Sequence, residues 1–594
     1  MTSRTSLDLG VIGNGTVSAL IDSAGRYVWA CLPHFAGDPV FCSLLEPQLT
    51  NQGYFEISLD DTVATRQRYV RNTAVLVTEL EDSSGNVVEL TDFCPRFLNW
   101  ERLYHPVMFV RQIRPLVGSP LVRIRLRPLR DWGSAVPERT SGSNHVRWLV
   151  NGTTLRLTSD IPVPFIEHEL PLTLDRPFTL ILGPDETLTA AVDAFAHDCL
   201  EHTRDHWFRW ARSLSIPFEW QDAVIRAAIT LKLCQYESTG AIVAAMTTSL
   251  PESPNSGRTW DYRYCWLRDS AFVVRALNRL GATTSMEDYL RYIYTIASAS
   301  DELQPVYGIH FEQTLQESEV ANLAGYDGMG PVRRGNAAWE QKQHDVYGSV
   351  VLGSTHLFYD QRLVTPGDDA AFEQLESAGE QAYRLYDQPD AGIWEFRGRM
   401  GIHTYSSVMS WVACDRLARI ARRLHRDDRA ELWRARADEM REQILERAFD
   451  PSRGAFTETW GGSRLDASLL MLVDLGFVAP SDPRFLGTLD AVERHLKRGD
   501  YVFRYVDADD FGEPDTAFVL CTFWYINALA AVGRVAEARD LFDRLLERRN
   551  ALGLLSEDID PVDGQLWGNF PQTYSMVGII EAAMRLSRAW DSES

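Results

Sequence analysis

Between Gly257 and Ser270 the chain reads G-R-T-W-D-Y-R-Y-C-W-L-R-D-S, with Trp260, Tyr262, Tyr264 and Trp266 interleaved with Arg258, Asp261, Arg263, Arg268 and Asp269. Flat apolar faces and charged hydrogen-bonding groups thus arrive from one short segment. A pyranose asks for that pairing: its C–H faces lie on aromatic rings, and its hydroxyls donate to carboxylates and accept from guanidinium groups. The same composition also suits the start of a helix that is part core and part surface. Charged side chains crowded among large rings favour the wall of a cleft over the interior of a core.

Two further carboxylates sit in loop contexts. Glu395 follows Trp394 in D-A-G-I-W-E and precedes Arg397 and Arg399. An apolar wall raises a carboxyl pKa by penalising the charged form, which is what a general acid needs at neutral pH. An ion pair with Arg397 or Arg399 is the alternative. Glu557, in G-L-L-S-E-D just before the turn Asp560-Pro561-Val562-Asp563-Gly564, is either a carboxylate reaching in from the helix ends or a solvated loop charge. Between them R-R-G-N (333–336) and Q-K-Q-H-D-V-Y-G (341–348) place polar groups, Gln343 and Asp345 among them, at the opening of an apolar helix. A surface helix start fits that segment equally well, and His344, with no visible partner, reads as structural. Phosphate-loop, zinc-protease and nucleophile-elbow patterns are absent from the sequence.

The elements that must position these residues change character along the chain. Its 594 residues exceed one ordinary core and predict two or three domains. From Leu7 to about Pro184 short alternating segments are broken by turn formers: Val11-Ile12, Ser18–Asp22, Tyr27–Trp29, Val107–Val110 and Thr154–Leu157. Ala74–Leu80 and Val87–Leu90 flank a D-S-S-G-N turn and predict a hairpin. Arg123, Arg125 and Arg127 alternate with Val122, Ile124 and Leu126, one face wet and one packed, and the whole reads as an antiparallel β-sandwich. After a helical linker, about 188–214, the period becomes helical. Apolar stripes follow Gln221, run from Ala271 to a Gly281 cap, and recur over Val408–Leu424 and Leu432–Ile444. Asp515–Val532 is apolar all round while Ala536–Asn550 is amphipathic, so buried and half-exposed helices alternate, as in an α/α toroid with chemistry held in the loops at one end. The expected division is 1–187 sandwich, 188–214 linker and 215–594 catalytic domain.

Composition narrows the partners. A formal net charge of −23 would repel nucleic acid and anionic membranes, and a small neutral substrate fits better. No run of eighteen apolar residues predicts a membrane span, and Met1–Gly15 lacks the pattern of a signal peptide, so a cytoplasmic location is expected. The eight cysteines are scattered without C-x-x-C spacing and read as small buried hydrophobes. No metal or other cofactor is expected, and oligomeric state is not legible.

Taken together these segments resemble glycoside hydrolase family 15, the glucoamylases, glucodextranases and bacterial and archaeal trehalases. The resemblance rests on I-G-N-G-T-V-S-A-L-I-D with L-P-H-F, D-Y-R-Y-C-W-L-R-D, G-N-A-A-x-x-Q-x-Q-x-D-V-Y-G, G-I-W-E, and L-L-S-E with G-N-F-P-Q-T-Y-S, in that order over nearly the whole chain. It implies an N-terminal antiparallel β-sandwich followed by a catalytic (α/α)6 barrel. It implies Glu395 as general acid, Glu557 as general base, and Arg268 and Asp269 as the grip on the non-reducing-end glucose, with Tyr262 and Trp394 beside it and Gln343 and Asp345 on a segment lining the same pocket. The opening loop departs from the family pattern, with Pro33-His34-Phe35 where a Pro-Arg-Phe-type run is commoner. The mechanism implied is single-step inversion releasing β-glucose from a small α-glucoside, trehalose or a short malto- or isomalto-oligosaccharide, with the two carboxyl groups roughly 6.5–9.5 Å apart. Two rival readings remain at this point. An inverting sugar phosphorylase on the same barrel would need an anion site in place of Glu557, and a sugar-binding protein would keep the fold without turnover.

Overall fold

The computed structural model describes residues 6–46, 51–299 and 302–588. Its first part is built of two antiparallel sheets. A seven-stranded sheet runs Gly10–Gly13, Ser18–Ile21, Tyr27–Leu32, Tyr54–Leu59, Leu121–Arg127, Leu172–Thr173, with Asp38–Phe41 paired to Tyr27–Leu32 beside this path. An eight-stranded sheet runs Arg139–Ser141, His145–Val150, Thr153–Ser159, Phe178–Pro184, Phe109–Val117, Val87–Phe93, Leu76–Asp82, Thr62–Tyr69. Side chains from both, such as Ile57 and Ile124 on one and Leu90 and Leu157 on the other, share one buried cluster, which makes the pair a sandwich.

Alternation sets the register. Val122, Ile124 and Leu126 are buried, while Arg123, Arg125 and Arg127 turn outward to Asp60, Glu56 and Glu169 at 3.0, 2.7 and 2.6 Å. The expected hairpin forms with Leu80 opposite Val88, and the Asp82 carboxylate closes its turn by accepting from the N–H groups of Ser84 and Asn86, both at 2.9 Å.

Helix α1 (Val192–Ser213) leads away from the sandwich. The chain then lays down α2 (Gln221–Leu233), α3 (Leu267–Arg279), α4 (Thr283–Ala297), α5 (Asp345–Ser354), α6 (Asp369–Leu385), α7 (Thr404–Arg423) and α8 (Asp427–Arg447). It continues with α9 (Met471–Asp474, entered through the 3-10 turn Ala467–Leu470), α10 (Pro483–His495), α11 (Val519–Ala531), α12 (Val535–Leu546) and α13 (Thr573–Leu586). The odd-numbered helices from α3 to α13 pack each against the next, with the 3-10 turn serving for α9, and α13 returns to α3 to close an inner ring. The even-numbered helices lie outside it: α2 on α13, α4 on α3, α6 and α8 on α7, α10 on the turn before α9, α12 on α11. This is an (α/α)6 barrel.

Hydrophobic pattern sorts the two layers. In α11 every residue from Val519 to Leu529 is buried, whereas α12 buries only the stripe Ala538, Leu541, Phe542, Leu545 and Leu546. Helix α3 starts four residues before the apolar stripe that marks it in the sequence, so Arg268 and Asp269 stand in its first turn; Gly281, at φ +81°, follows its end as expected. The two parts are keyed together by buried polar contacts. Trp29 donates from Nε1 to the carbonyl of Met246 at 3.0 Å, and Arg96 meets Glu237 at 3.0 Å, with Lys232 3.2 Å from the same carboxylate. All eight cysteines are buried and unpaired. No helix among the described residues is long and apolar enough to cross a membrane.

Candidate active site

Each inner helix is entered from an outer one by a loop, and those loops meet at the end of the barrel where the inner helices begin. Glu395 lies in the loop entering α7, Glu557 in the loop entering α13, Arg268 and Asp269 in the first turn of α3, and Tyr505 in the loop entering α11. They line one cavity of about 930 Å³, open solvent at its mouth included. A ring of helix N-termini surrounds it, and their partial positive charge favours the carboxylates gathered there.

Glu395 is held by its backbone as well as its side chain. Its φ of 59° is left-handed, uncommon for a residue other than glycine, and its carbonyl accepts from Gln341 Nε2 at 3.1 Å. Oε1 accepts from Trp266 Nε1 at 2.7 Å, Arg268 Nη2 at 3.3 Å and Gln343 Nε2 at 3.3 Å. None of these bonds reaches Oε2, and the side chain keeps 23% of its exposure, toward the cavity. The ion pairs that would have neutralised it go elsewhere: Arg397 to Glu317 at 2.7 Å and Arg399 to Glu458 at 3.0 Å.

Glu557 is not a solvated loop charge, being 1% exposed. A three-stranded sheet of Ala517–Phe518, Asp558–Ile559 and Leu566–Trp567 fixes its backbone. Oε1 accepts from the Tyr262 hydroxyl at 2.7 Å and Oε2 from the Asn569 N–H at 3.3 Å. The close approach depends on Gly568, at φ +75°, where a Cβ would stand 2.7 Å from Oε2. Burial, then the neighbouring carboxylates Glu252 and Asp558, push the Glu557 pKa well above the ordinary range, and Asp558 is raised for the same reasons. Arg504, which donates to Glu252, opposes this.

The two carboxylates hang on one aromatic pair. Tyr262 and Trp266 stand edge to face with centroids 5.4 Å apart, Tyr262 holding Glu557 and Trp266 holding Glu395. Four positions apart in the segment that leads into α3, one binds each side of the cavity. Arg268 ties the acidic groups together, reaching Glu395 as above, Tyr574 Oη at 3.2 Å and Gln343 Oε1 at 3.0 Å, with Asp269 and Asp345 at 3.6 and 3.8 Å. Asp269 lines the cavity; burial carries its pKa up to about 7 despite Arg268, and its Oδ2 has no hydrogen-bond partner. Trp394 lines it too, anchored by Nε1 to Asp466 Oδ2 at 2.7 Å and packed against Tyr505, Phe518 and Trp524.

Gln343 and Asp345 stand one layer back. They are not part of the cavity wall; they brace Arg268, and Asp345 is fully buried with neither carboxyl oxygen hydrogen-bonded, its pKa raised by burial to about 6. The Pro33-His34-Phe35 loop is also off the wall, His34 lying against Tyr236 and His310 at 6.0 and 4.7 Å.

Several wall residues were not singled out in the sequence. Glu252, in L-P-E, accepts from Trp260 Nε1 at 3.0 Å as well as from Arg504. Arg504-Tyr505 sits in an apolar run that reads as a strand, and Tyr574 inside the N-F-P-Q-T-Y-S segment. The mouth is strapped by residues 505–512: Arg258 grips Asp509 through two bonds of 2.6 Å, Phe511 meets Trp260 edge-on at 5.2 Å, and Asp510 accepts from the N–H groups of Arg397 and Gly398 at 2.9 Å each.

This geometry is matched by comparison with known proteins. Residues 220–584 match the model for glycosyl hydrolases family 15. A trehalase of Thermoplasma volcanium is 32% identical, the alignment covering 98% of this chain and 93% of the relative. A trehalase of Mycobacterium tuberculosis is also 32% identical, covering 98% of this chain and 89% of the relative. Among solved structures, a bacterial glucoamylase complexed with acarbose superposes with a TM-score of 0.69 at 13% identity, covering 98% of this chain and 94% of that one, a likeness of fold alone. A paired-carboxylate pocket at the inner-helix entries of an (α/α)6 barrel, the family match across that barrel and the end-to-end relatives agree, and the chain belongs to glycosyl hydrolase family 15.

Proposed function

We propose that the protein hydrolyses α,α-trehalose with inversion, Glu395 acting as general acid and Glu557 as general base. The observation that carries this reading is the single cavity in which Glu395 and Glu557 are held on opposite members of the Tyr262–Trp266 pair. Relatives named trehalase that align over nearly the whole chain support the disaccharide as substrate.

One glucosyl ring sits in the floor of the cavity, its hydroxyls taken by Asp269 and Arg268 and its face against Trp394. Glu395 protonates the glycosidic oxygen from Oε2, the oxygen left clear of Trp266, Arg268 and Gln343. Glu557, tied at both oxygens, takes a proton from water on the far face of the ring, across the roughly 6.5–9.5 Å that an inverting pair requires. Its raised proton affinity makes it a strong base above its own pKa and an idle one below. The products are one β-glucose from the attacked ring and one α-glucose from the leaving sugar.

One observation favours the opposite assignment. Burial and the carboxylates crowded beside it raise the proton affinity of Glu557, while Glu395 lies against Arg268. α-Glucosyl fluoride separates the two assignments, because its leaving group needs no acid. Glu395→Gln is expected to keep hydrolysing the fluoride and Glu557→Gln to lose it; the reverse pattern would exchange the roles. Substrate is tested by glucose release from trehalose, maltose, isomaltose and maltotriose. Release from trehalose alone is expected, and release from maltotriose without trehalose would replace the reading with a glucoamylase-like one.

A further inference from the structure

A second cavity lies directly behind the catalytic acid, with about 1250 Å³ of empty space including its open mouth. Tyr307, Trp339 and Tyr347 supply aromatic surface to its wall. Two cations, Lys342 and Arg384, are balanced there by two carboxylates, Glu302 and Glu340. Its polar equipment is incompletely used. Gln304 spends its Nε2 on the Trp339 carbonyl at 3.3 Å while its Oε1 is buried without a partner. His344 is 5% exposed, and although the carbonyls of Leu385 and Gln388 are near its ring, no hydrogen bond of good geometry reaches Nδ1. Aromatic surface, amides and balanced charge are the chemistry of a neutral polyhydroxylated ring, not of an anion or a lipid.

The wall between the two cavities is the segment Gln341–Gln343. Gln341 lines both of them. Its Nε2 holds the Glu395 carbonyl, its Oε1 accepts from Gln343 Nε2 at 3.0 Å, and the Lys342 carbonyl accepts from the Ala391 N–H at 2.9 Å in the loop that carries Glu395. Gln343 in turn touches Glu395 and Arg268 on the catalytic side and lines the second cavity on the other. Tyr307 is paired through its backbone with Cys265, next to the Trp266 that holds Glu395. A molecule filling the second cavity therefore bears on the supports of the acid from behind.

We propose that this cavity is a second pyranose site, filled by free glucose, and that its occupancy acts on Glu395 through the Gln341–Gln343 wall. Binding itself does not depend on the catalytic reading; the effect on turnover rests on it.

The test uses the whole protein and the variants Arg384→Ala and Gln313→Ala, singly and together, both positions being exposed on the second cavity's rim and away from the catalytic wall. Equilibrium dialysis against labelled D-glucose is expected to give one more glucose per chain for the unmodified protein than for the double variant, whose extra site weakens at least tenfold. Inhibition of trehalose hydrolysis by glucose is expected to be mixed in the unmodified protein and competitive in the double variant, with uninhibited kcat and KM unchanged within twofold. Equal stoichiometry in the two proteins would overturn the proposal, whether that stoichiometry is one or more. Absence of hydrolysis with a glucose lost in the double variant would leave the site standing and overturn the function instead.

Discussion

Glu395 and Glu557 share a cavity and differ in almost everything around them. Glu395 is met by an indole, a guanidinium and an amide, all donors, and keeps one oxygen and part of its surface open. Glu557 is buried, tied at both oxygens, and crowded by Glu252 and Asp558. Burial alone does not separate them. Glu237, at the junction of sandwich and barrel, is also largely buried, yet Arg96 and Lys232 overcome its desolvation and draw its pKa down to about 2. Between these two buried groups partner charge decides the direction: opposite charge stands beside Glu237 and like charge beside Glu557.

Changes in those surroundings break or sharpen the contrast. The largest effect is expected from the carboxylates themselves: Glu395→Gln or Glu557→Gln lowers kcat on trehalose by about 10³-fold, read from initial glucose release. Next is Glu237→Gln, which leaves Arg96 and Lys232 facing no charge and costs about 3 kcal/mol in denaturant unfolding. Because the folded pKa of Glu237 lies below its unfolded value near 4.5, its contribution is present above that value and is lost as pH falls toward about 2. Unfolding midpoints across that window should converge for the variant and the unmodified protein.

Tyr262→Phe removes the hydroxyl that fixes Glu557 and is expected to cost about tenfold in kcat, on the scale of one hydrogen bond to a charged group. The smallest change is the most diagnostic. The base works only when ionised, so kcat/KM rises with pH through the raised Glu557 pKa, and that limb lies above the ordinary carboxylate range. Glu252→Gln removes the neighbouring negative charge and frees Arg504, so the limb moves to lower pH; an unmoved limb would mean that another group sets it.

The fold was legible wherever one period dominates. Alternation in Val122–Arg127 and the contrast between wholly apolar α11 and striped α12 announce sandwich and double-layered barrel directly. The site was legible where aromatics and charges are adjacent in sequence, as around Tyr262, Arg268, Trp394 and Glu395. Glu252 and Arg504 were not, because an acidic residue in a Pro loop and an arginine in an apolar run declare a role only when the barrel brings them together across 252 positions. Sequence also cannot separate wall from brace: Gln343 and Asp345 stand in the expected neighbourhood, yet contact the cavity only through Arg268 and Glu395.

The central claim is that Glu395 and Glu557 work as an inverting pair on trehalose, and the most direct measurement is a proton NMR time course of trehalose hydrolysis, faster than mutarotation. The account predicts that α- and β-glucose appear together in equal amounts from the first spectrum. Initial appearance of α-glucose alone would mean retention, and would contradict it.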